Sequence, residues 1–542
     1  MQQASLSSNS RQAIWEALKA NQDQPWDLII VGGGITGAGI LREAVRQGRK
    51  VLLVDQHDFA WGTSSRSSKM VHGGLRYLAL GEFKLTRDAV RERQRLLQEA
   101  PGLVEPLHFL MPHYARQFPG PRLFQMVLGI YDRLAGQKWR KLYSAAEAAL
   151  LVPGLRQTQL LALSLFTDAV TDDARLVLRV IQEARAAGGV ALNYVAASEL
   201  LREKEKEQGK VCGVRLRDSL SGETLELRAQ AVINATGAWT DGLREKTGEE
   251  RQIRPLRGSH LVLPFWRLPL AWSVSFLHPQ DRRPVFVFPW EGMTVIGTTD
   301  LDHADLDEEA RITDQEVEYL LAGANSLFPD ARLGRGDILS TYAGVRPVVS
   351  SGSSDPSKEK RDHAIWDEQG LITVAGGKLT TFRLIALDVL QKAEAYLAHP
   401  SRKADNEQVF HTPPLQLLDG YGLSYEQKKR LIGRFGAEAK QLLEQAPPHE
   451  RETVAGTQTL WAELRWSCRH ESVVHLEDLL LRRTRLGLLL AQGGLPQLTH
   501  LKPLCQETLG WDEARWQRET EDYARLWRGC YSLPESSAGA GR

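Results

Sequence analysis

The fold of this chain is decided by Asp27-Leu28-Ile29-Ile30-Val31-Gly32-Gly33-Gly34-Ile35-Thr36-Gly37. The stretch begins with a short aliphatic run typical of a buried strand, and Gly32, Gly34 and Gly37 then follow the spacing G-x-G-x-x-G. The pattern of residues 35–47 predicts a helix, which Gly48 ends. A strand, a tight turn and a helix in this order bring backbone close to a pyrophosphate and direct the helix N-terminus at it.

An acidic residue completes this unit. The next predicted strand, Lys50 to Val54, is followed by Asp55, which is placed to accept hydrogen bonds from an adenosine ribose. A carboxylate there also disfavours a 2′-phosphate. Strand, glycine turn, helix and acid about 20 residues on together predict a dinucleotide site. The alternative is a glycine-rich turn that binds nothing, and the motif alone does not choose between NAD and FAD.

Length and composition restrict the class of protein. A chain of 542 residues is expected to form two or three domains. Lys and Arg number 68 against 67 Asp and Glu, so net charge gives no reason to expect a nucleic-acid partner. Cys212, Cys468, Cys505 and Cys530 are far apart, which favours reduced, structural thiols of a cytosolic protein over a metal or redox site.

The sequence indicates a soluble protein or one that lies on a membrane surface. Met1 to Gln24 lacks the features of a secretory signal, and no uncharged apolar run approaches the roughly 18 residues that span a bilayer. Pro119 to Leu142 is predicted to be a helix with interleaved aromatic and basic residues. Such a helix either lies on anionic lipid or packs on the protein with its charges in water.

The order of the predicted elements gives an α/β fold class. A Rossmann-type dinucleotide domain is built from separated segments, an antiparallel sheet forms a substrate or cap domain, and the C-terminal domain is all-helical. The predicted ranges are 1–26 for an N-terminal extension, 27–105 with 165–255 and 335–400 for the dinucleotide domain, 106–164 with 256–334 for the cap, 401–532 for the helical domain and 533–542 for a disordered tail.

Two glycine-rich segments with basic residues, His72 to Tyr77 and Gly376 to Arg383, come next in importance. A reduced flavin carries negative charge at N1 and the C2 carbonyl, so a helix N-terminus directed there is stabilising. Gly376-Gly377-Lys378 at the start of a predicted helix supplies that geometry. The alternative is a glycine-rich turn with a surface lysine.

The basic residues favour an anionic substrate. Arg346 lies in an otherwise apolar predicted strand, where it either pairs with a buried acid or faces a ligand. Together with Arg76, Lys378 and Arg383 it favours phosphate or carboxylate, since guanidinium groups bind both well. His72, beside two glycines, is a candidate base, and His260 and His363 are others.

Several motifs in order resemble the FAD-dependent glycerol-3-phosphate dehydrogenases of the D-amino-acid-oxidase-like superfamily, from about Asp27 to about Trp527. The matching segments are Gly32 to Gly39, Thr63 to Lys69, His72 to Leu78, Gly297 to Asp300, Tyr342 to Pro347, Gly376 to Arg383, Arg469 to Glu471 and Leu476 to Arg485. The chain departs from the family pattern at Leu41, Glu43, Gln47-Gly48 and Phe382, where a tyrosine is usual. These departures bear on fine tuning more than on the reaction class.

The resemblance implies oxidation of sn-glycerol 3-phosphate at C2 to dihydroxyacetone phosphate, with FAD accepting hydride and passing electrons to a membrane quinone. The implied protein is cytoplasmic and bound peripherally to the inner membrane. It has no nucleic-acid partner, and the sequence does not decide whether it is a homodimer. Rival functions are an oxidase that reduces oxygen to peroxide, an amine or amino-acid oxidase of the same fold, and a flavin-binding protein without turnover.

The expected site residues follow from the motifs and the resemblance together. We assign catalysis to Arg346, His72 and Lys378, with the identity of the base left open. Substrate binding is assigned to Arg76, Tyr77, Arg346, Lys378 and Arg383. The expected FAD-binding residues are Gly32, Gly34, Ile35, Thr36, Gly37, Asp55, Ser67, Ser68, Lys69, His72, Gly73, Gly74, Leu75, Val195, Ala235, Thr236, Gly237, Gly377, Lys378, Leu379 and Thr380.

Overall fold

The computed structural model describes residues 8–79, 81–203, 209–303, 305–350, 362–400 and 408–535, apart from the side chains of 8–10, 76 and 79. Most of the predicted tail, from 536 onward, therefore lies outside the described residues. The strands are β1 Trp26–Val31, β2 Val51–Val54, β3 Met70–Val71, β4 Val104–Tyr114, β5 Lys141–Ser144, β6 Leu160–Thr171, β7 Val190–Leu192, β8 Val195–Arg202, β9 Val211–Asp218, β10 Thr224–Asn234, β11 Ile253–Pro264, β12 Ser273–Leu277, β13 Pro284–Trp290, β14 Met293–Gly297, β15 Leu301–Asp302, β16 Ser340–Val349, β17 His363–Glu368 and β18 Leu371–Gly376. The helices are α1 Ser8–Ala20, α2 Ile35–Arg46, α3 Leu75–Ala79, α4 Phe83–Glu99, α5 Pro121–Ala135, α6 Ala145–Leu151, α7 Asp173–Ala186, α8 Thr240–Arg244, α9 Asp314–Leu327, α10 Phe382–Ala393, α11 Tyr425–Phe435, α12 Ala439–Gln445, α13 Trp461–His470, α14 Leu486–Leu489, α15 Leu498–Leu509 and α16 Glu513–Cys530.

The first sheet has the parallel strand order β18-β10-β1-β2-β7, with β17 antiparallel at the β18 edge. β8 and β9 extend β10 as an antiparallel meander. Both faces of the central strands are buried, and α2 packs on one face with α7 and α10. Because parallel neighbours end at the same edge, the turns after β1, β2, β10 and β18 meet there. The predicted Rossmann-type domain of separated segments is confirmed.

The second sheet is antiparallel except where β12 runs parallel to β4. Its order is β15-β11-β14-β13-β12-β4-β6-β3, with β16 paired to β11 and β5 to β6. It therefore includes β3 and β16, which lie in ranges predicted for the dinucleotide domain, and β16 carries Arg346. The antiparallel cap is confirmed, while the domain boundaries stay a prediction.

The C-terminal part is helical, as predicted, from α11 to α16. Leu464, Leu480 and Leu504 of this domain share one hydrophobic core with Phe109 and Phe288 of the second sheet. The helical domain is thus packed on the cap sheet and is not a detached module. All four cysteines are buried free thiols.

One predicted helix is wrong in extent. Pro119 to Leu142 was expected to be helical throughout, but α5 ends at Ala135, because Gly136 adopts a left-handed conformation with φ +64°. Residues Lys141–Ser144 then pair with β6 as β5. Among the described residues, none of the helices combines the length and the apolar character needed to cross a bilayer.

Candidate active site

A cavity of about 690 Å³ opens where the strands of the first sheet end. Its volume lies in the range of ligand pockets, roughly 300–1,000 Å³. Of the residues predicted to bind FAD, those that line it are Gly32, Gly34, Ile35, Thr36, Asp55, Ser67, Ala235, Thr236, Gly237, Gly377, Lys378 and Leu379. The remaining ones stand behind or beside the wall: Gly37, Ser68, Lys69, His72, Gly73, Gly74, Leu75, Val195 and Thr380.

In the glycine turn after β1, Gly32 and Gly37 lie so close to other backbone atoms that neither position can carry a side chain. A Cβ on Gly37 would lie 1.8 Å from the carbonyl oxygen of Gly32, and a Cβ on Gly32, at φ +113°, would lie 2.4 Å from that of Ala235. This packing directs the N-terminus of α2 at the cavity. Helix N-termini bind anions through their free N–H groups and dipole. The N–H of Ile35 donates to Ser64 Oγ at 3.0 Å, which fixes the adjoining loop over the turn.

Asp55 lies at the cavity wall beside this turn. Its Oδ2 accepts the N–H of Gly33 at 2.6 Å, and its Oδ1 accepts the N–H of His57 at 2.8 Å. Burial raises the pKa of Asp55 to about 7, and these two hydrogen bonds only partly oppose it. The carboxyl group therefore titrates near neutral pH.

Aromatic residues absent from the predicted site shape the cavity near Asp55. The His57 ring stacks on Trp61 with centroids 4.0 Å apart, and Trp61 lies 5.4 Å from Trp239. Ala197 lines the cavity instead of Val195, whose side chain is fully buried in the core and whose N–H donates to the Asp55 carbonyl at 2.7 Å. The only signal for His57 and Trp61 in the sequence was their closeness to Asp55 and to the loop 59–68, which is rich in Gly, Ser and Thr.

At the other end of the cavity, the two glycine-rich basic segments meet as predicted. The N–H of His72 donates to Thr380 Oγ1 at 3.0 Å, and that hydroxyl donates to the His72 carbonyl at 3.1 Å. Lys378 Nζ lies 3.4 Å from the centroid of the Tyr77 ring. The N–H of Gly73 donates to Asp168 Oδ1 at 3.0 Å. Both segments therefore have fixed positions.

Ser67 forms a second wall of the cavity, and Ser68 and Lys69 follow it in sequence. Ser67 donates through its N–H and its Oγ to Asp173 Oδ2, at 2.9 and 2.7 Å. Ser68 Oγ lies 2.9 Å from His260 Nε2. Lys69 is fully buried, and its Nζ donates to Asp173 Oδ1 at 2.9 Å. Lys69 thus supports this wall from behind.

Arg346 is held at a fixed position by the second sheet. Its guanidinium donates to Asp300 Oδ1 at 3.0 Å and to Thr298 Oγ1 at 2.9 Å, and about a quarter of its side chain is exposed. The neighbouring His260 stacks on Tyr342 with centroids 4.5 Å apart. Burial, reinforced by the nearby charges of Arg346 and Lys69, holds the pKa of His260 well below its usual value. His260 is therefore a neutral imidazole.

One predicted substrate contact, Arg383, is not brought into this arrangement. Arg383 Nε and Nη2 donate to the two oxygens of Glu92, at 2.9 and 2.8 Å, and both side chains are buried. An arginine committed to a buried acid in this way is not available to a ligand without leaving that acid uncompensated. The side chain of Arg76 lies outside the described part, so its contact stays a prediction. His363 lies between Asp362 and Asp388, at 3.2 and 3.0 Å.

The departures from the family pattern have local explanations. Glu43 pairs with Arg46 on the same helix, at 2.7 Å. Phe382 packs so closely on Gly39 that a Cβ there would lie 2.7 Å from its ring. The Phe382 contact packs α10 against α2, while the Glu43–Arg46 pair lies within α2.

Family models match two parts of the chain. The model described as FAD dependent oxidoreductase matches residues 27–386, and the C-terminal domain of alpha-glycerophosphate oxidase matches residues 406–516. The fold and site thus define a FAD-dependent oxidoreductase.

Relatives narrow the class further. The chain is 35% identical to the glycerol-3-phosphate dehydrogenase of Mycobacterium leprae, over 96% of this chain and 90% of the relative. It is 34% identical to the aerobic glycerol-3-phosphate dehydrogenase of Staphylococcus haemolyticus, over 86% and 88%. The crystal structure of the Bacillus halodurans glycerol-3-phosphate dehydrogenase complexed with FAD is similar with a TM-score of 0.77, at 27% identity, over 97% and 98%. The chain belongs to the FAD-dependent glycerol-3-phosphate dehydrogenase and oxidase family.

The residues present fit FAD. The turn that admits no Cβ at Gly32 or Gly37, the N-terminus of α2 and the Asp55 carboxylate suit the pyrophosphate and ribose of the adenosine half. The 3₁₀ turn Leu379–Thr381, which leads into the N-terminus of α10, suits the negative charge of a reduced flavin. The turn after β1 and the turn after β18 both line the same cavity.

We expect FAD affinity to rise with pH around neutrality. Ribose hydroxyls donate only to the ionised Asp55, so binding should weaken as pH falls below about 7, by at most about tenfold per pH unit for one linked proton. The dissociation constant of FAD from the apoprotein, measured by quenching of flavin fluorescence between pH 5.5 and 8.5, checks this. Asp55→Asn should flatten the profile; an equally steep profile in that variant would remove Asp55 as the linked group.

Proposed function

We propose that this protein oxidises sn-glycerol 3-phosphate at C2 to dihydroxyacetone phosphate and passes the electrons to a membrane quinone. The observation that carries the proposal is the meeting of His72–Tyr77 with Gly377–Thr380 at one end of the FAD cavity, where Lys378 lies over Tyr77. Membership of the family, whose relatives carry the substrate in their names, supports the choice of a phosphorylated polyol. Bound FAD supplies the acceptor for a hydride.

Two positively charged side chains in fixed positions, Lys378 and Arg346, select an anionic substrate. Lys378 lies over the aromatic face of Tyr77 and lines the cavity, which places its charge within reach of a ligand oxygen. Asp300 and Thr298 hold the Arg346 guanidinium in one orientation, so it is already in position when a ligand binds. We assign phosphate binding to Lys378 with Arg76, and positioning of the C2 hydroxyl to Arg346.

The proton of the C2 hydroxyl needs an acceptor near these cations. His363 lies between two carboxylates that favour its charged form, and Arg346 has an acidic partner that keeps its guanidinium protonated. His72 and His260 are the other candidates. We give the role to His72, whose backbone is anchored to Thr380 at the end of the cavity where Lys378 lies. His260 is 1% exposed, and the burial and positive charges that lower its pKa also oppose its taking up a proton, so it serves to support Ser68.

We expect Lys378→Met to raise KM for glycerol 3-phosphate by about 10- to 100-fold, since a charge-assisted hydrogen bond contributes roughly 1.5–3 kcal/mol. The measurement is the rate of anaerobic flavin bleaching against substrate concentration, with FAD content determined for each variant. Lys246→Met is the matched control, because Lys246 also lines the cavity and donates to the Ser198 carbonyl away from Lys378. Equal KM values in the two variants would contradict phosphate binding by Lys378.

The histidine assignment gives a separate expectation. His72→Asn should slow anaerobic flavin reduction by about 10²- to 10⁴-fold, the usual contribution of a general base, while His260→Asn should have a smaller effect. Stopped-flow absorbance at saturating substrate measures both rates. A larger loss in His260→Asn would transfer the role to His260.

Contact with the membrane is proposed for α5. This helix buries Leu128 and Tyr131, yet Met126 is 67% and Ile130 45% exposed on its other side, and Phe118 just before it is 71% exposed. Arg122, Arg133, Lys138, Arg140 and Lys141 surround these apolar side chains in sequence. An apolar face with a basic border suits a bilayer that carries anionic lipid. A cytoplasmic protein bound there would meet quinone at the inner membrane.

We expect the enzyme to reduce a quinone analogue in anionic vesicles at least about tenfold faster than it produces peroxide. Met126→Ser with Ile130→Ser should lower vesicle binding and quinone reduction about tenfold, because burial contributes about 0.8 kcal/mol per CH₂ group. Reduction of a water-soluble dye should not change. Vesicle sedimentation, quinone absorbance and a peroxide assay are the measurements.

Leu220→Ser is the control for this experiment, since Leu220 is 46% exposed in a turn of the first domain. One peroxide formed per substrate oxidised would establish an oxygen-dependent oxidase instead. Equal vesicle binding of the wild type and the double variant would contradict contact through α5.

A further inference from the structure

Three arginines of the helical domain enter the FAD-binding domain near the cavity. Arg482 and Arg483 end a π-helical turn, Asp478–Arg483, and Arg485 follows it in a left-handed conformation. Each is at most 1% exposed. A buried guanidinium has to be paired, and each of the three pairs with an acid more than 300 residues away in sequence. Arg482 also pairs with Glu477 and Asp478 at the start of its own turn.

Arg482 and Arg483 hold Asp58. Asp58 Oδ2 accepts from Arg482 Nε and Arg483 Nη1, both at 2.5 Å, and Oδ1 accepts from Arg483 Nη2 at 2.7 Å. Asn193 Nδ2 also donates to Oδ1, at 2.9 Å. Burial opposes the charge of Asp58, but the two guanidinium groups outweigh it and lower the pKa to about 2. Asp58 is thus an anchored carboxylate at all ordinary pH values.

The loop that carries Asp58 is also the loop that carries Asp55. The anchored carboxylate of Asp58 lies three positions after Asp55 at the cavity wall, and the N–H of Ala60 returns to the Gly33 carbonyl at 3.0 Å. The N–H of Trp61 donates to the Asp58 carbonyl at 3.1 Å, which fixes the aromatic wall. The positions of Asp55 and Trp61 against the glycine turn therefore depend on Asp58.

Arg485 makes the corresponding contact on the second wall. Its Nη2 donates to Asp173 Oδ1 at 2.8 Å and to the Ser65 carbonyl at 2.6 Å. The other oxygen of Asp173 holds Ser67, which lines the cavity. Arg485 thus holds segment 65–69 at two points, the Ser65 carbonyl and the Asp173 carboxylate that binds Ser67.

We propose that Arg482, Arg483 and Arg485 are positioning residues for FAD. Through Asp58 and Asp173 they fix the two loops 55–62 and 65–69, so that the affinity for FAD depends on the docked helical domain. This gives the helical domain a role in cofactor binding, independent of the substrate and of the electron acceptor.

The experiment compares arginines with matched burial. Arg483→Gln and Arg485→Gln are prepared in the full chain with Arg465→Gln as the control, because Arg465 forms a buried ion pair with Glu450, at 2.7 Å, inside the helical domain. The dissociation constants of FAD and of ADP from the apoprotein are measured by fluorescence and calorimetry. Thermal unfolding of each apoprotein is recorded alongside.

We expect at least a fivefold increase in the FAD dissociation constant for Arg483→Gln and Arg485→Gln, and less than twofold for Arg465→Gln. ADP, which occupies only the adenosine half, should lose affinity in Arg483→Gln and keep it in Arg485→Gln. A general loss of stability does not produce this split. FAD affinity equal to the control in both variants, or a parallel loss of ADP and FAD in all three, would overturn the proposal.

Charge-preserving variants cover the case in which a glutamine variant does not fold. Arg483→Lys keeps the charge but cannot make both bonds that Arg483 gives to Asp58. Arg485→Lys offers one nitrogen in place of the two with which Arg485 contacts the Leu481 carbonyl and the Asp173–Ser65 pair. A FAD dissociation constant unchanged in both lysine variants would overturn the proposal as well.

Discussion

The close approach of backbone to backbone at the first glycine turn is the constraint on which the rest of the site depends. With 1.8 Å between the Gly32 oxygen and any Cβ on residue 37, α2 packs against β1 only because that side chain is missing. This closeness brings the N-terminus of α2 to the sheet edge where β2, β10 and β18 also end. The cavity follows from that meeting of strand ends, since turns collected at one edge leave room between them.

Burial then decides the electrostatics of the walls. Asp55 has hydrogen bonds but no direct cationic partner among its described contacts, so desolvation dominates and its pKa rises to about 7. Asp58, three residues on, is buried as deeply but is paired with two guanidinium groups, and its pKa falls to about 2. The loop after β2 thus contains two different carboxylates. Asp55 can change its protonation state when a ligand binds, whereas Asp58 stays ionised and anchors the loop.

The sequence was sufficient for whatever is encoded locally. The strand, turn and helix from Trp26 to Arg46 have the expected positions, because periodicity and glycine spacing are short-range signals. The end of α5 was missed because a glycine inside an amphipathic pattern does not reveal whether its backbone is left-handed. Arg383 was assigned to the substrate because its partner, Glu92, lies 291 residues away. A motif shows that a charge is present, and only the tertiary fold shows which charge it faces.

The long-range ion pairs also explain why the helical domain belongs to the same folding unit as the FAD domain. Asp58, Asp172 and Asp173 are at most 2% exposed, and arginines of the helical domain pair with each: Arg482 and Arg483 with Asp58, Arg434 and Arg485 with Asp172, and Arg485 with Asp173. Without these arginines, the three buried carboxylates would keep only Lys69 as a cationic partner among the contacts described here. Burying negative charges with so little compensation is strongly unfavourable. The loops would then have to open to water, and they are the loops that form two walls of the cavity. The charge balance at the domain boundary therefore couples the docking of the helical domain to the shape of the cofactor site.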